Sequence, residues 1–509
     1  MRRRISSAAF LAMAAVACTA LAADAKLRLE INNSSGDAVP CRIHLFGPDG
    51  EPVKPDGYPS WNDHFVCDGR AELQLAPGVY RYEVERGPEH ARITGDIELT
   101  DGADRTEPLV LERLADLKDY GWYSGDLHVH RSVDDVPLLM QAEDLHIAPV
   151  ITWWNQRNLW ADRELPERTL FEFDGGRFYD VMAGEDEREG GALLYYGLDR
   201  PLAITEATRE YPSPLTFVAN GRDADPDLWI DIEKPFWWDV PQWLASGVAQ
   251  SIGIANNHMC RSRMYENEAW GRPRDVERLP NPRGNGYWTQ EIYYHALNCG
   301  KRLPPSAGSA SGVLPNPVGY NRVYVQVEGD LTWEKWWDGL QAGRSFVTNG
   351  PLLLCRANGE RPGHTFGPTL KQRISINLDL LLITLDRVPV VEVIQNGKVV
   401  DTLKTSSSRE QELHTSLLFE ESGWFLVRAI TDRAETFRFA STAPYYVTLK
   451  TNDEVISRTS VQFFADWAVE REQRARMALT DPEQARAVLP FHDDAIRYWR
   501  ELADRANAP

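Results

Sequence analysis

The sequence predicts an α/β unit set between two β-sandwiches and closed by a helical tail. Three observations lead there. Apolar and polar residues alternate with period two from Lys26 to about Leu111 and again after Gly350, as in strands with one buried face. Between these stretches, short and largely apolar runs alternate with helix-like segments, the pattern of buried parallel strands in layered α/β units. Beyond about Leu449 the apolar residues recur on one helical face.

Residues 1–22 read MRRRISSAAFLAMAAVACTALA, with three arginines, an apolar core and Ala20-Leu21-Ala22 as a cleavage site. They form an expected signal peptide, so the mature chain is expected to begin near Ala23, in the periplasm or outside the cell. Cys18 follows a poor lipobox, which makes lipid anchoring the lesser alternative. No later stretch approaches the roughly 20 uncharged apolar residues of a membrane span, and a soluble mature chain is expected.

The first sandwich is expected over residues 23–113. Its strands show in Leu27, Leu29 and Ile31 and in Tyr80, Tyr82 and Val84, with turn signals at Pro48-Asp49-Gly50 and Pro77-Gly78. This segment resembles the transthyretin-like or carboxypeptidase-regulatory-like sandwiches placed ahead of secreted catalytic domains. The α/β unit is expected over residues 114–350, with strand-like runs at 147–151, 178–182 and 251–255. Ligands of such units bind beyond the carboxyl ends of the strands. Residues 351–450 give the second sandwich, with Ile374, Ile376, Leu378 and Leu380 in alternation and a hairpin turn at Asn396-Gly397. In residues 451–509, Val461, Phe464, Trp467, Ala468, Ala475 and Leu479 share a helical face, and helix starts are expected at Asp481-Pro482 and His492-Asp493.

Composition narrows the function. The 509 residues carry 55 basic against 75 acidic side chains, a net charge of -20 that repels the phosphate backbone and excludes a general nucleic-acid binder. With 43% hydrophobic residues, wholesale disorder and coiled coil are excluded too. Five cysteines follow the signal peptide; Cys41 with Cys67 is the first expected pair and Cys260 with Cys299 the second.

The candidate site begins at Asp126-Leu127-His128-Val129-His130. On an extended segment His128 and His130 point to one side, so two imidazoles can share one metal ion. Asp126, on the same side, could accept the second ring N–H of His128 or bound the cavity. By itself an H-x-H is a weak signal.

The run GDLHVH, then Gly184-Glu185-Asp186, then Asn256-Asn257-His258 resembles the PHP (polymerase and histidinol phosphatase) metal-dependent hydrolases. The secreted carbaryl-hydrolase-like branch is the nearest, through Gly308-Ser309-Ala310-Ser311-Gly312, Arg322-Val-Tyr-Val and Ala342-Gly-Arg-Ser-Phe-Val-Thr-Asn-Gly350. The resemblance implies a distorted (β/α)7 barrel with metal at its mouth and hydrolysis of phosphoesters or other esters. It implies His128, His130, Glu185 and His258 as metal ligands, with Glu185 and His258 the residues carrying catalysis. Departures accompany it. Thr152-Trp153-Trp154-Asn155 stands where the family reads Thr-Asp-His-Asn, Gly191-Ala192 where a Gly-His pair is usual, and Ala310-Ser311-Gly312 where an Asp-x-His is usual.

Three imidazoles and one carboxylate suit a single Zn²⁺, with Mn²⁺ or Fe²⁺ as alternatives. Trp153 and Trp154, at a strand's carboxyl end, are candidate walls for a small molecule or glycan, and Arg261 and Arg263 candidate anchors for an anionic group. Large core fillers are the commoner fate of indole. The expected function is a secreted metal-dependent hydrolase acting on a phosphoester or a carboxylic or carbamate ester. The alternative is an inactive barrel that binds a ligand, carbohydrate among the candidates, or serves as a scaffold.

Overall fold

The computed structural model describes residues 23–368, 373–450 and 454–509. The expected signal peptide and Cys18 lie outside the described residues. The strand Ala25–Asn32 buries every second side chain, because it runs between antiparallel Arg70–Leu75 and parallel Asp104–Val110 with one face inward. A five-stranded sheet containing Cys41–Phe46 covers that face, and the two sheets share a core that includes Leu27, Leu29, Ile43, Phe65, Val84 and Ile97. Cys41 stands opposite Cys67 on paired strands with sulfurs 3.8 Å apart, and all five described cysteines are thiols.

The middle of the chain corrects the expected (β/α)7 barrel. The described residues hold seven α-helices against twenty-eight strands. Strand–helix–parallel strand steps do occur, from Trp122–Gly125 through Val136–Ala142 to Ile147–Trp154, and from Trp229–Ile232 through Val240–Ser246 to Ser251–Ala255. Parallel pairing also joins Ile147–Trp154 to Arg177–Arg188 and Ser251–Ala255 to Pro305–Ala307. The regular alternation breaks at Glu189-Gly190. There Gly190, at φ 88°, turns Arg177–Arg188 directly into antiparallel Gly191–Tyr196, so a hairpin stands where a barrel needs a crossover helix. Two further antiparallel partners, Gly191–Tyr196 with Trp229–Ile232 and Trp122–Gly125 with Arg322–Gln326, make the sheet mixed.

The same sheet runs on past residue 350. Ser345–Thr348 pairs with both Arg322–Gln326 and Phe439–Thr442, and the ladder continues through Gly423–Ile430 to Val390–Gln395. A three-stranded sheet of Leu352–Ala357, Ile374–Ile383 and Glu410–Phe419 packs on this extension over Leu353, Ile376, Leu378, Val391, Val393 and Phe425. Two helices, Arg458–Ala478 and Pro482–Arg505, close the chain against the middle, where Trp499 Nε1 donates to the Pro241 carbonyl at 3.0 Å. His492 and Asp493 lie inside the second of these and do not start a helix: Asp481 caps the start by accepting from the Glu483 N–H at 2.7 Å. No helix among the described residues is long and apolar enough to cross a membrane.

Charge fastens the first sandwich to the middle. Asp144, 2% exposed, pairs with Arg113 at 2.7 Å, Arg177 at 2.6 Å and Arg86 at 3.5 Å, while the neighbouring Glu143 receives Arg42. Burial opposes ionisation of Asp144, but Arg86, Arg177 and Arg113 outweigh it and hold its carboxyl well below the usual range. A depressed carboxyl stabilises the fold above its unfolded-state pKa of about 3.9 and loses that contribution as pH falls. Asp144→Asn is therefore expected to cost about 3–5 kcal/mol in urea unfolding at pH 7, since it leaves buried guanidinium groups unpaired, and the penalty is expected to shrink below about pH 4.

Candidate metal centre

The site is built where Trp122–Gly125 ends. Residues 126–130 continue extended between two neighbours: the Asp126 N–H donates to the Ile147 carbonyl, Leu127 to Ala307, His130 to Ser311, and Val129 bridges both Val150 and Ser311. Leu127 and Val129 face the core at 1% and 0% exposure, which turns His128 and His130 to the other side. The departure at residues 308–312 now has a structural meaning. That segment offers no metal-binding side chain and instead pairs by its backbone, and a Cβ at Gly308 would lie 2.4 Å from Cβ of His128, so only glycine admits the approach.

Asp126 holds these segments in register. Its Oδ1 accepts the backbone N–H groups of His128 and Ser309, each at 3.0 Å, and its Oδ2 accepts that of Gly319 at 2.6 Å. Both carboxylate oxygens thus accept from the main chain, and Asp126 is not among the groups that converge with the His128 ring. Burial lifts its carboxyl above the ordinary value, and the bonds from Ser309, Gly319 and His128 work against that lift.

Glu185 comes from the strand Arg177–Arg188 and completes a triangle. His128 Nε2 lies 2.9 Å from His130 Nε2 and 3.2 Å from Glu185 Oε2, and His130 Nε2 lies 3.1 Å from the same oxygen. Three donors that share one ion at about 2.0–2.2 Å have edges of this length, and the set is buried and made of two imidazoles and a carboxylate. The residues fit a divalent metal ion. Burial disfavours the charged form of His128, but Glu185 and Glu233 outweigh it and raise the imidazole to about 10; burial lowers His130. Glu185 is held well below the usual carboxylate range, because His128 and His130 prevail over its burial.

A second buried group, His44, Asp63 and His64, lies in the first sandwich. Arg42 Nε donates to His44 Nε2 at 3.0 Å, which places the ring proton on Nδ1, 3.4 Å from Asp63 Oδ1. Arg42 thereby takes the lone pair of His44 Nε2, and Asp63 Oδ1 also lies 3.2 Å from His64 Nδ1.

The other expected site residues part company. His258 does not join the triangle: its ring lies 5.4 Å from Phe236 and 5.0 Å from Tyr265, its Nδ1 has no partner, and burial followed by Lys234 pushes it down to about 3. Trp153 is 1% exposed and donates to the Met182 carbonyl at 2.9 Å, a core residue. Trp154, one step along the strand, turns to the site, its ring 4.9 Å from His130 and its Nε1 donating to Glu187 Oε2 at 3.1 Å. Arg261 is engaged by Glu83 and by Glu85, the latter at 2.9 Å, and Arg263 is exposed over Tyr265. Neither guanidinium serves the triangle. Asp186 points away from Glu185 and pairs with Arg188 at 2.8 Å, whereas Glu187 shares the Glu185 side.

Two acidic and basic neighbours were not expected. Glu233 Oε1 lies 3.4 Å from His128 Nδ1, and Lys234 Nζ lies 2.6 Å from the same oxygen. Both follow Trp229–Ile232, a strand whose signal in the sequence is the apolar set Leu228, Trp229, Ile230 and Ile232, interrupted by Asp231.

Comparison of the chain with family models, with curated proteins and with solved structures gives no match. The geometry yields one expected outcome at this point. Asp126→Ala strands three buried N–H donors and is expected to destabilise the protein by about 3 kcal/mol or more, with Asp126→Asn costing less because its amide oxygen still accepts. Urea unfolding of the two variants measures both.

Proposed function

We propose that the chain is a metal-dependent hydrolase acting on a phosphoester or a carboxylic or carbamate ester. The motifs around His128, Glu185 and His258 that resemble the PHP hydrolases suggest the class. The observation that carries the reading is the convergence of His128 Nε2, His130 Nε2 and Glu185 Oε2 within 3.2 Å of one another in a buried setting. Three protein ligands, without His258, leave positions open for water and substrate, the pattern of catalytic Zn²⁺ sites, with Mn²⁺ or Fe²⁺ as alternatives. Bound there, the ion would supply Lewis acidity and lower the pKa of a coordinated water toward about 7.

The remaining work falls to the chain's own side chains. Glu187 is half-buried on the same side as Glu185, oriented by Trp154 Nε1. Burial first, then Glu185, lifts its carboxyl to about 7, where it can hold or release a proton near neutral pH. Trp154, with the Arg157 guanidinium 5.2 Å from its ring, forms a half-buried aromatic wall against which a small-molecule substrate can lie.

Elemental analysis of untagged protein purified without chelator is expected to find about one transition-metal ion per chain. His128→Ala should lose the metal together with hydrolysis of p-nitrophenyl phosphate or p-nitrophenyl acetate. Trp154→Ala should keep the metal and change only substrate preference. Metal-free native protein, with a His128→Ala variant equal to it in stability and ligand binding, would replace the hydrolase reading by that of a ligand-binding module.

A further inference from the structure

The pair Glu233 and Lys234 lies outside every motif of the resemblance, yet both side chains are buried beside the triangle, at 3% exposure each. A buried carboxylate needs a partner for each oxygen, and Glu233 has more than enough. Lys234 Nζ reaches both oxygens, Oε1 at 2.6 Å, and Trp237 Nε1 donates to Oε2 at 2.9 Å. The ammonium also sits 4.6 Å from the Trp237 ring, so the lysine is fixed on two sides. With Glu233 so anchored, Oε1 stands 3.4 Å from Nδ1 of His128, on the edge of the ring opposite the triangle.

We propose that Glu233 is the positioning residue of the metal centre: it holds the Nδ1–H of His128, fixes the ring's tautomer and aims Nε2 at Glu185 and His130. The inference rests on the metal-centre reading above. Its physical basis is that an imidazole can give Nε2 to an ion only if its proton resides on Nδ1, and a carboxylate facing Nδ1 keeps it there while raising the basicity of the ring. His128 lies between two carboxylates, Glu185 at Nε2 and Glu233 at Nδ1. With the Nε2 lone pair on an ion, Nδ1–H would still face Glu233. Lys234 offsets part of the negative charge that Glu185, Glu187 and Glu233 bring together. Trp237 limits the directions the Glu233 carboxylate can take.

The test is a Co²⁺ titration of the full chain against a competing chelator, followed by absorption in the visible. Glu233→Ala is expected to weaken Co²⁺ binding 10–100-fold and to alter the ligand-field spectrum of the loaded protein. Glu233→Gln, whose amide oxygen can still accept from Nδ1, is expected to recover part of the affinity. A role confined to stability would lower the unfolding midpoint and leave the spectrum and the affinity of the folded protein unchanged, which would overturn the inference. Equal affinity in the parent and both variants would overturn it as well. Parent protein that binds no Co²⁺ would overturn the metal-centre reading itself, and this inference with it.

Discussion

The site depends on one buried carboxylate that gathers main-chain N–H groups. Asp126 gathers N–H groups from three separate stretches, at His128, Ser309 and Gly319. A charge buried without such bonds would be costly, so the segment is stable only with all three donors present. That requirement fixes where residues 126–130 can lie, and with them both imidazoles. It also gives residues 308–312 a use despite their lack of metal-binding side chains: they supply the backbone that Asp126 and His128 bind.

Electrostatics elsewhere serves assembly. The chain is strongly acidic, and several of its arginines are consumed at the seam between the first sandwich and the middle, by Glu83, Glu85, Glu143 and Asp144. Arg261 illustrates the outcome. Three residues after His258 it looked like an anchor for substrate, but its charge is neutralised by acids of another sheet. Nearness along the chain says little about which carboxylate a long, flexible side chain will reach.

What could be read from the sequence followed from local geometry. His128 and His130 share a side because any extended segment puts alternate residues on one side, whatever surrounds it. The same rule separates Trp153 from Trp154 and Asp186 from Glu187, although it could not say which of each pair faces inward. Glu185 was reachable only through the resemblance of its motif. Glu233 was hidden because the strand before it carries Asp231, a charge that in isolation argues against a buried strand. In the fold that carboxylate accepts hydrogen bonds from Ser251 and Ser306, residues distant in sequence. The place of His258 outside the triangle was hidden for a related reason: the direction of a loop beyond a strand end is set by tertiary packing, here the rings of Phe236 and Tyr265. The expected barrel failed at a two-residue turn, Glu189-Gly190, too short to carry the helix that regular alternation demands.

The unbroken ladder from Ser345–Thr348 into Phe439–Thr442 means that the sheet carrying Glu185 and the sandwich after residue 350 form one cooperative body. A cut at the apparent boundary would bare a row of main-chain donors and acceptors on each fragment, an open edge prone to sticking to other chains. Insertions and fusions are better tolerated at exposed connections such as Ser406-Ser407-Ser408 than at that boundary.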